Sequence, residues 1–283
     1  MKNILVPCDF SKPAVFAFQI AVDIAQQSHG TVHLLNVVEL PVYQDPVLMP
    51  VMNFEQQFFK ELKENAESHF NKLLDEHKAE GVSVITDVQL GGVHATIQDY
   101  IKEKAVDIVL MGSHGASGFA EFFLGSNAQK IVQRSPVPVL IVKDYFKGPI
   151  KSIVFPNTLE TEHQEDLVMK VKSLQEFFKA NLHIVWINTP ANFTADSLTN
   201  RRLEDFAKRY MFKNYSTHVF NHSDEEEGIL LFTNSIKGDL IAMGTHGRKG
   251  IAHVVNGSLA EDVVNHTDKL VWTYTMRNEP IVA

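Results

Sequence analysis

Gly112-Ser113-His114-Gly115, nine residues, then Gly125-Ser126; and again Gly244-Thr245-His246-Gly247, nine residues, then Gly257-Ser258: one spacing, written twice, decides how this chain is read. Each copy follows an aspartate-led apolar run, Asp107-Ile108-Val109-Leu110-Met111 in the first and Asp239-Leu240-Ile241-Ala242-Met243 in the second. Two more echoes lie upstream. Ile4-Leu5-Val6-Pro7 matches Ile153-Val154-Phe155-Pro156, and Val32-His33-Leu34-Leu35 matches Leu182-His183-Ile184-Val185. Matching segments in the same order mark an internal duplication. At roughly 100–200 residues per domain, the 283 residues divide into 1–147 and 148–283, each half long enough to bury a core of its own.

The copies are offset by about 149 residues at the first segment, 150 at the second and 132 at the glycine motif, so the first carries some 18 extra residues in between. The stretch 40–54 holds Pro41, Pro46 and Pro50 without a steady period and reads as a long loop. Such a loop is a lid, a docking surface or a plain surface insertion.

Within the first half, 4–6, 31–38, 82–88, 107–111 and 137–142 are β-rich apolar runs. Helical patterns fall between them. Ser11 caps a helix with Pro13 in its first turn, Phe16, Ile20 and Ile24 along one face and Gly30 beyond its end. The segment 54–80 repeats Phe59, Leu62, Ala66, Phe70 and Leu73 at helical spacing and stops at Gly81, and 126–133 forms the helix after the glycine loop. Alternating strands and helices predict an α/β fold, a parallel sheet covered on both faces.

Composition narrows the function classes. Apolar residues make up 45% and charged residues 21% of the chain, an ordinary globular balance. The 26 Lys+Arg against 34 Asp+Glu give a formal net charge of −8, the wrong sign for a protein that lives on nucleic-acid backbones or anionic lipid. One cysteine, Cys8, forms no intramolecular disulfide and no Cys/His array suits zinc, which favours a reducing compartment. The N-terminal apolar run is broken by Pro7, too short for a signal-peptide core, and no 18-residue uncharged apolar stretch occurs. The expectation is a cytosolic protein with neither nucleic-acid nor membrane partner.

Gly112 closes the fourth strand and Ser126 opens the following helix, so loop amides and helix N–H groups converge on one pocket. Such a pocket attracts anions. Glycine there lets amides approach an oxygen closely and supplies positive φ. Neither G-x-x-x-x-G-K-[ST] nor a G-x-G-x-x-G after the first strand occurs, which counts against a P-loop ATPase or a dinucleotide dehydrogenase.

The pattern G-2x-G-9x-G-[ST] after D-[IL]-[IV]-x-M-G, with Ile4-Leu5-Val6-Pro7-Cys8-Asp9 ahead of it and Pro136-Val137-Pro138-Val139-Leu140-Ile141-Val142 behind, resembles the universal stress proteins. Both halves match, so the resemblance covers nearly the whole chain and identifies a tandem member. It implies two Rossmann-like domains, each a five-stranded parallel sheet of order 3-2-1-4-5, with ATP, alone or with Mg²⁺, across the ends of strands one and four. It carries Pro7, Asp9 and Val37 to the nucleoside end of the first site, and Met111, Gly112, His114, Gly115, Gly125, Ser126 and Asn127 to the ribose and phosphates. In the second half the same places fall to Ile187, Met243, Gly244, His246, Gly247, Gly257, Ser258 and Leu259. The strand after the glycine motif, 137–142 and 270–274, pairs between the halves as an intrachain pseudo-dimer, and two chains associate as a homodimer. One departure stands out: Thr158 lies opposite Asp9 and Asn157 opposite Cys8, so the strand-one carboxylate is missing from the second half.

The loops differ the other way. The segment 116–124 has no cation, whereas Arg248-Lys249 head the second loop, either pairing with phosphates or simply solvated. His114 and His246 recur, yet no carboxylate or nucleophile is identifiable beside either, so both read as loop lining rather than bases. His33 and His183 read as core residues, Cys8 as a buried inert thiol, and Asp224-Glu225-Glu226-Glu227 as a solvated loop face. Asp9 is either a ribose or Mg²⁺ partner or an ordinary turn former. The leading reading is an adenine-nucleotide-regulated stress-response sensor or interaction module with an unidentified protein partner and little turnover. The alternatives are a slow ATP hydrolase or phosphotransferase, and a nucleotide-free interaction protein.

Overall fold

Ile4, Leu5 and Val6 are each fully buried, a run without alternation that only a strand covered on both faces produces. The computed structural model describes residues 1–39, 52–114, 124–159, 164–246 and 259–276, with the backbone alone at 52–58 and 246. Elements alternate as the repeat demands: β1 (Asn3–Pro7), α1 (Lys12–Ser28), β2 (Thr31–Val38), α2 (Met52–Glu76), β3 (Ser83–Leu90), α3 (Val93–Glu103), β4 (Ile108–Gly112), α4 (Ser126–Arg134) and β5 (Val139–Val142). The second half repeats them as β6 (Ser152–Pro156), α5 (Glu165–Phe178), β7 (Asn181–Asn188), α6 (Asp196–Arg209), β8 (Tyr215–Asn221), α7 (Glu225–Ser235), β9 (Leu240–His246), α8 (Leu259–His266) and β10 (Leu270–Met276).

Among the described residues the strands form one sheet, ordered β3-β2-β1-β4-β5-β10-β9-β6-β7-β8. Each half therefore has the order 3-2-1-4-5, all parallel. The halves meet through the one antiparallel pair, Val271, Trp272 and Thr273 of β10 against Ile141, Leu140 and Val139 of β5. β5 begins at Val139 rather than 137 because Pro136 and Pro138 lack the N–H a ladder requires, and the Ser135 hydroxyl donates to the Val137 carbonyl in the turn instead.

The two cores expected from length are not separate. Alternate residues feed two slabs, each running through both halves. Ile4, Val6, Leu140, Val142, Phe155 and Trp272 belong to one, and Leu5, Val109, Ile141, Val154, Ile241 and Val271 to the other. Continuity of the sheet across β5 and β10 leaves no edge at which either slab can stop.

Local signals were mostly placed where the sequence puts them, with instructive exceptions. Ser11 is the N-cap of α1, but its hydroxyl donates to Asp9 Oδ1 at 2.6 Å rather than capping the helix. His29, not Gly30, takes the left-handed φ of 51° at the C-terminus, and the Gly30 N–H closes onto the Ala25 carbonyl at 3.0 Å. Phe16 is half-buried, packed against the core and stacked on Tyr145 at 6.3 Å, while Ala17, Phe18, Ile20, Ala21 and Ile24 are buried. The extra residues of the first half are mainly helix. α2 has 25 residues against 14 in its counterpart α6 and starts at Met52, so the end of the expected 40–54 loop is helical, while 40–51 lies outside the described residues. No helix among the described residues is long and apolar enough to cross a membrane.

Candidate functional site

Strand order reverses between β1 and β4 in the first half and between β6 and β9 in the second, because β2 and β7 lie on the other flank. Helices following the two neighbouring strands leave on opposite faces there, so a crevice opens at the carboxyl ends. Pro7 and Asp9 end β1, Val37 lies near the end of β2, Met111 and Gly112 end β4, and Gly125, Ser126 and Asn127 start α4, so the structure brings these eight residues to one end of the sheet with His114. The Gly125 N–H donates to the Ser113 carbonyl at 2.8 Å, clamping the ends of the glycine loop together. Gly125 is the N-cap of α4 and, among the described residues, no side chain caps that helix, which leaves its first amides to other acceptors. Gly115 and 116–123 lie outside the described residues.

The chain enters α1 and α5 through a matched pair of left-handed residues, Phe10 at φ 64° and Leu159 at φ 57°. Non-glycine residues rarely adopt this conformation, and its recurrence marks a turn built the same way twice. The register matches too: the Cys8 N–H donates to the Leu35 carbonyl at 2.8 Å, and the Asn157 N–H to the Val185 carbonyl at 3.0 Å. Asn157 thus stands where Cys8 does, and Thr158 where Asp9 does. Asp9 Oδ1 accepts from the Ser11 amide at 3.1 Å and from its hydroxyl. It is a turn former and is exposed. In the second half Asn157 takes the turn-forming role instead, accepting from the Leu159 amide at 2.7 Å and donating to Gln164 Oε1 at 2.9 Å.

The glycines that head the loops have a reason other than ligand approach. A Cβ on Gly112 would sit 2.8 Å from the Ala14 nitrogen and the Pro13 carbonyl carbon, and one on Gly244 would sit 2.7 Å from Leu167 Cδ2. Neither φ lies in the left-handed range and Gly125 has φ −59°. At these three positions glycine is therefore not serving a positive φ. At Gly112 and Gly244 it lets the first turn of α1 or α5 lie against the end of the fourth strand.

The halves diverge beyond that point. β4 ends at Gly112, and His114 follows in the loop, its Nδ1 3.0 Å from the Ser113 hydroxyl. β9 continues through Thr245 and His246, paired with Thr275 and Met276 of β10. The Thr245 and Thr275 hydroxyls reach the Val132 carbonyl at 3.3 and 3.1 Å, so α4 braces this extension. His246 is thus a strand residue where His114 is a loop residue. Met243 and Ile187 are buried, and Leu259 opens α8. Gly247, Arg248, Lys249, Gly257 and Ser258 lie outside the described residues.

At the carboxyl ends of β6 and β7 lies a cleft of about 300 Å³, lined among others by Pro156, Thr158, Trp186, Ile187, Phe193 and Glu225. Trp186, Phe193 and Glu225 were not among the expected site residues. Trp186 was legible as the neighbour of Ile187; Phe193 is placed by a 3₁₀ turn, Pro190–Asn192, that no sequence signal announced. The acidic run is the start of α7 and not a loop. Asp224 caps the helix by accepting from the Glu227 amide at 2.9 Å, and Glu226 Oε1 meets His266 Nδ1 at 2.5 Å.

Other titratable groups are structural. Burial, with the nearby Asp9 charge adding to it, pushes the Cys8 thiol up to about 12 against the pull of the Phe10 amide. His33 is buried with Nδ1 3.2 Å from the Tyr100 hydroxyl, and burial holds its basicity below the usual imidazole range. His183 Nδ1 lies 3.1 Å from His218 Nε2, and burial depresses both. Among the described residues no group of three or more His, Cys, Asp or Glu is placed to hold a metal.

Comparison with known proteins agrees with this architecture. The family model described as the universal stress protein family matches residues 1–143 and 160–274. Universal stress protein YxiE of Bacillus subtilis is 30% identical over 145 residues, covering 50% of this chain and 98% of the relative. A universal stress protein of Methanocaldococcus jannaschii is 27% identical over 142 residues, covering 50% of the chain and 82% of the relative. The crystal structure of a universal stress protein from Archaeoglobus fulgidus superposes with a TM-score of 0.76 at 19% identity, covering 96% of this chain and 98% of that one, and so shares the fold along the whole length.

Proposed function

The chain belongs to the universal stress protein family as a tandem, two-domain member, and from that premise we propose that each half binds one adenine nucleotide, ATP with Mg²⁺ on its phosphates, as the signal of a stress-response sensor with little turnover. The domains divide at 147/148, where Gly148 takes a φ of +129°. Pro7, Asp9 and Val37 face the nucleoside of the first site. Met111, Gly112, His114, Gly115, Gly125, Ser126 and Asn127 surround its ribose and phosphates. In the second half Ile187 meets the nucleoside, and Met243, Gly244, His246, Gly247, Arg248, Gly257, Ser258 and Leu259 occupy the matching places.

One observation carries this reading: α4 begins beside the strand-order reversal with Gly125 as its cap and, among the described residues, no capping side chain. A helix start of this kind offers several N–H donors and about half a positive charge to an anion. The second-half cleft suits the nucleoside, since it joins an apolar wall, Pro156 and Ile187, to a few polar groups. The residues present therefore fit a nucleotide, which supplies the charge that the amides recognise. Ligand occupancy and not chemistry is then the output, transmitted through helices α4 and α8 to a protein partner or a second chain in the cytosol.

Mass spectrometry of gently purified protein tests the reading directly. An adenine nucleotide is expected to co-purify, and less of it with Gly115→Val. Phosphate release that is rapid in the wild type and lost in Gly115→Val would replace the sensor by a hydrolase.

A further inference from the structure

Each helix proposed to receive phosphate begins at one site and ends against the other. α8 starts at Leu259, and roughly 12 Å further on its last turn reaches the first half: the Asn265 side-chain oxygen accepts from the Leu124 amide at 2.7 Å, one residue before the Gly125 cap of α4. Two successive amides at the head of α4 are therefore held from different halves, Gly125 by the Ser113 carbonyl at 2.8 Å and Leu124 by α8. Asn265 is fixed from the first half in turn. Lys143, half-buried just after β5, donates to the Asn265 carbonyl at 2.5 Å, one of the last-turn carbonyls that a helix leaves unpaired.

α4 returns the contact. It starts at Ser126, and the carbonyl of Val132 in its last turn accepts from the Thr245 and Thr275 hydroxyls at 3.3 and 3.1 Å. Both threonines are buried, so water does not compete for that carbonyl, and Thr245 directly follows Gly244 of the second site. The two joints are not copies. Gln133 holds the place in α4 that Asn265 holds in α8, yet it donates to Glu261 Oε1 at 2.6 Å instead of reaching a loop. The second half lends the first site a side chain, and the first half answers with a main-chain carbonyl.

We propose that Asn265 is a positioning residue of the first nucleotide site, supplied by the second half, and that through α8 it makes nucleotide bound at one site strengthen binding at the other; the assignment rests on the nucleotide reading above. The amides offered to phosphate at the first site follow Leu124 directly, so their direction depends on where Asn265 holds that residue. Phosphate at the start of α8 fixes the helix whose last turn carries Asn265, and phosphate at the start of α4 fixes the helix whose last turn carries Val132. The cost of ordering this shared frame falls on the first ligand to bind. The second meets a frame already set, which is positive coupling.

Isothermal calorimetry of the full chain with ATP and Mg²⁺ reads the coupling. Gly247→Val reports the first site alone and Gly115→Val the second. The wild-type isotherm is expected to depart from the sum of these two, each site binding about fivefold or more tightly once the other is filled. Asn265→Leu removes the acceptor; measured alone and combined with each glycine variant, it is expected to give the plain sum. A substitution that only destabilised the fold would weaken both sites and leave their coupling in place. Lys143→Met loosens Asn265 from its other side, is expected to lower the same factor, and carries the test should Asn265→Leu not fold. A wild-type isotherm equal to the sum, or a coupling factor unchanged by Asn265→Leu and Lys143→Met, overturns the proposal and leaves the nucleotide reading standing. No heat from the wild type overturns both.

Discussion

At the scale of single residues, the spacing of the repeated glycines was legible and the packing role of Gly112 and Gly244 was not. Spacing alone identifies Gly112 and Gly244, yet what they make room for is helix α1 or α5, and no sequence pattern states which neighbour will come within 3 Å. Gly112→Ala is therefore expected to destabilise the fold by about 1–3 kcal/mol through overpacking, read as a lowered midpoint in urea. An unchanged midpoint would mean that α1 yields freely. Cys8 is a second case. A thiol raised to about 12 and buried is almost wholly protonated at pH 8, and the thiolate is the nucleophile. Native protein should leave a thiol reagent unconsumed at pH 8 and take up one equivalent on unfolding. The left-handed pair Phe10 and Leu159 was invisible beforehand, because neither residue type favours that conformation.

At the scale of elements, hydrophobic period and caps located the five strands and three of the four helices of the first half; α3 was not read from the sequence. Boundaries moved where a hydrogen-bond requirement overruled the pattern, as at Pro138 before β5. The eighteen extra residues were assigned to a loop because of their prolines, whereas most of them lengthen α2, whose polar outer positions blur the apolar repeat near its start. The acidic run of α7 was misread for a similar reason: charges that look solvated in a string become first-turn residues once Asp224 caps the helix. Strands β7 and β8 carry a stacked pair of depressed imidazoles. His183 and His218 are held neutral by burial, while unfolded imidazoles titrate near about 6.5. Their folded values are depressed, so the stability they contribute is whole above that pH and drains as pH falls through it toward the folded values. The melting temperature should drop between pH 7.5 and 5.5, and less steeply in a His183→Gln/His218→Gln double variant. A parallel pH dependence in both proteins would remove the pair as its source.

At the scale of the molecule, duplication was plain in the sequence and fusion was not. Nothing in either half announces that its fifth strand will complete the other's sheet; that followed from family resemblance, and β5 and β10 do pair antiparallel. The cores merge as a result, and the junction is tied by polar groups as well. Buried Glu261 accepts from Gln129 and Gln133 at 2.7 and 2.6 Å, and Asn265 accepts from the Leu124 amide at 2.7 Å. Heat unfolding is therefore expected as one cooperative transition for both halves, with Glu261→Ala shifting it by about 1.5–3 kcal/mol without splitting it. Two resolved calorimetric peaks would show the halves to be independent.

The Leu124 and Glu261 bonds also tie the start of α4 to α8, the two helices proposed to receive phosphate, so the count of ligands per chain bears on the whole account. Isothermal calorimetry with ATP and Mg²⁺ on wild type, Gly115→Val and Gly247→Val measures it. Two nucleotides per wild-type chain and one in each variant are predicted. No heat in any of the three, or one stoichiometry common to all, would contradict a phosphate site in each half.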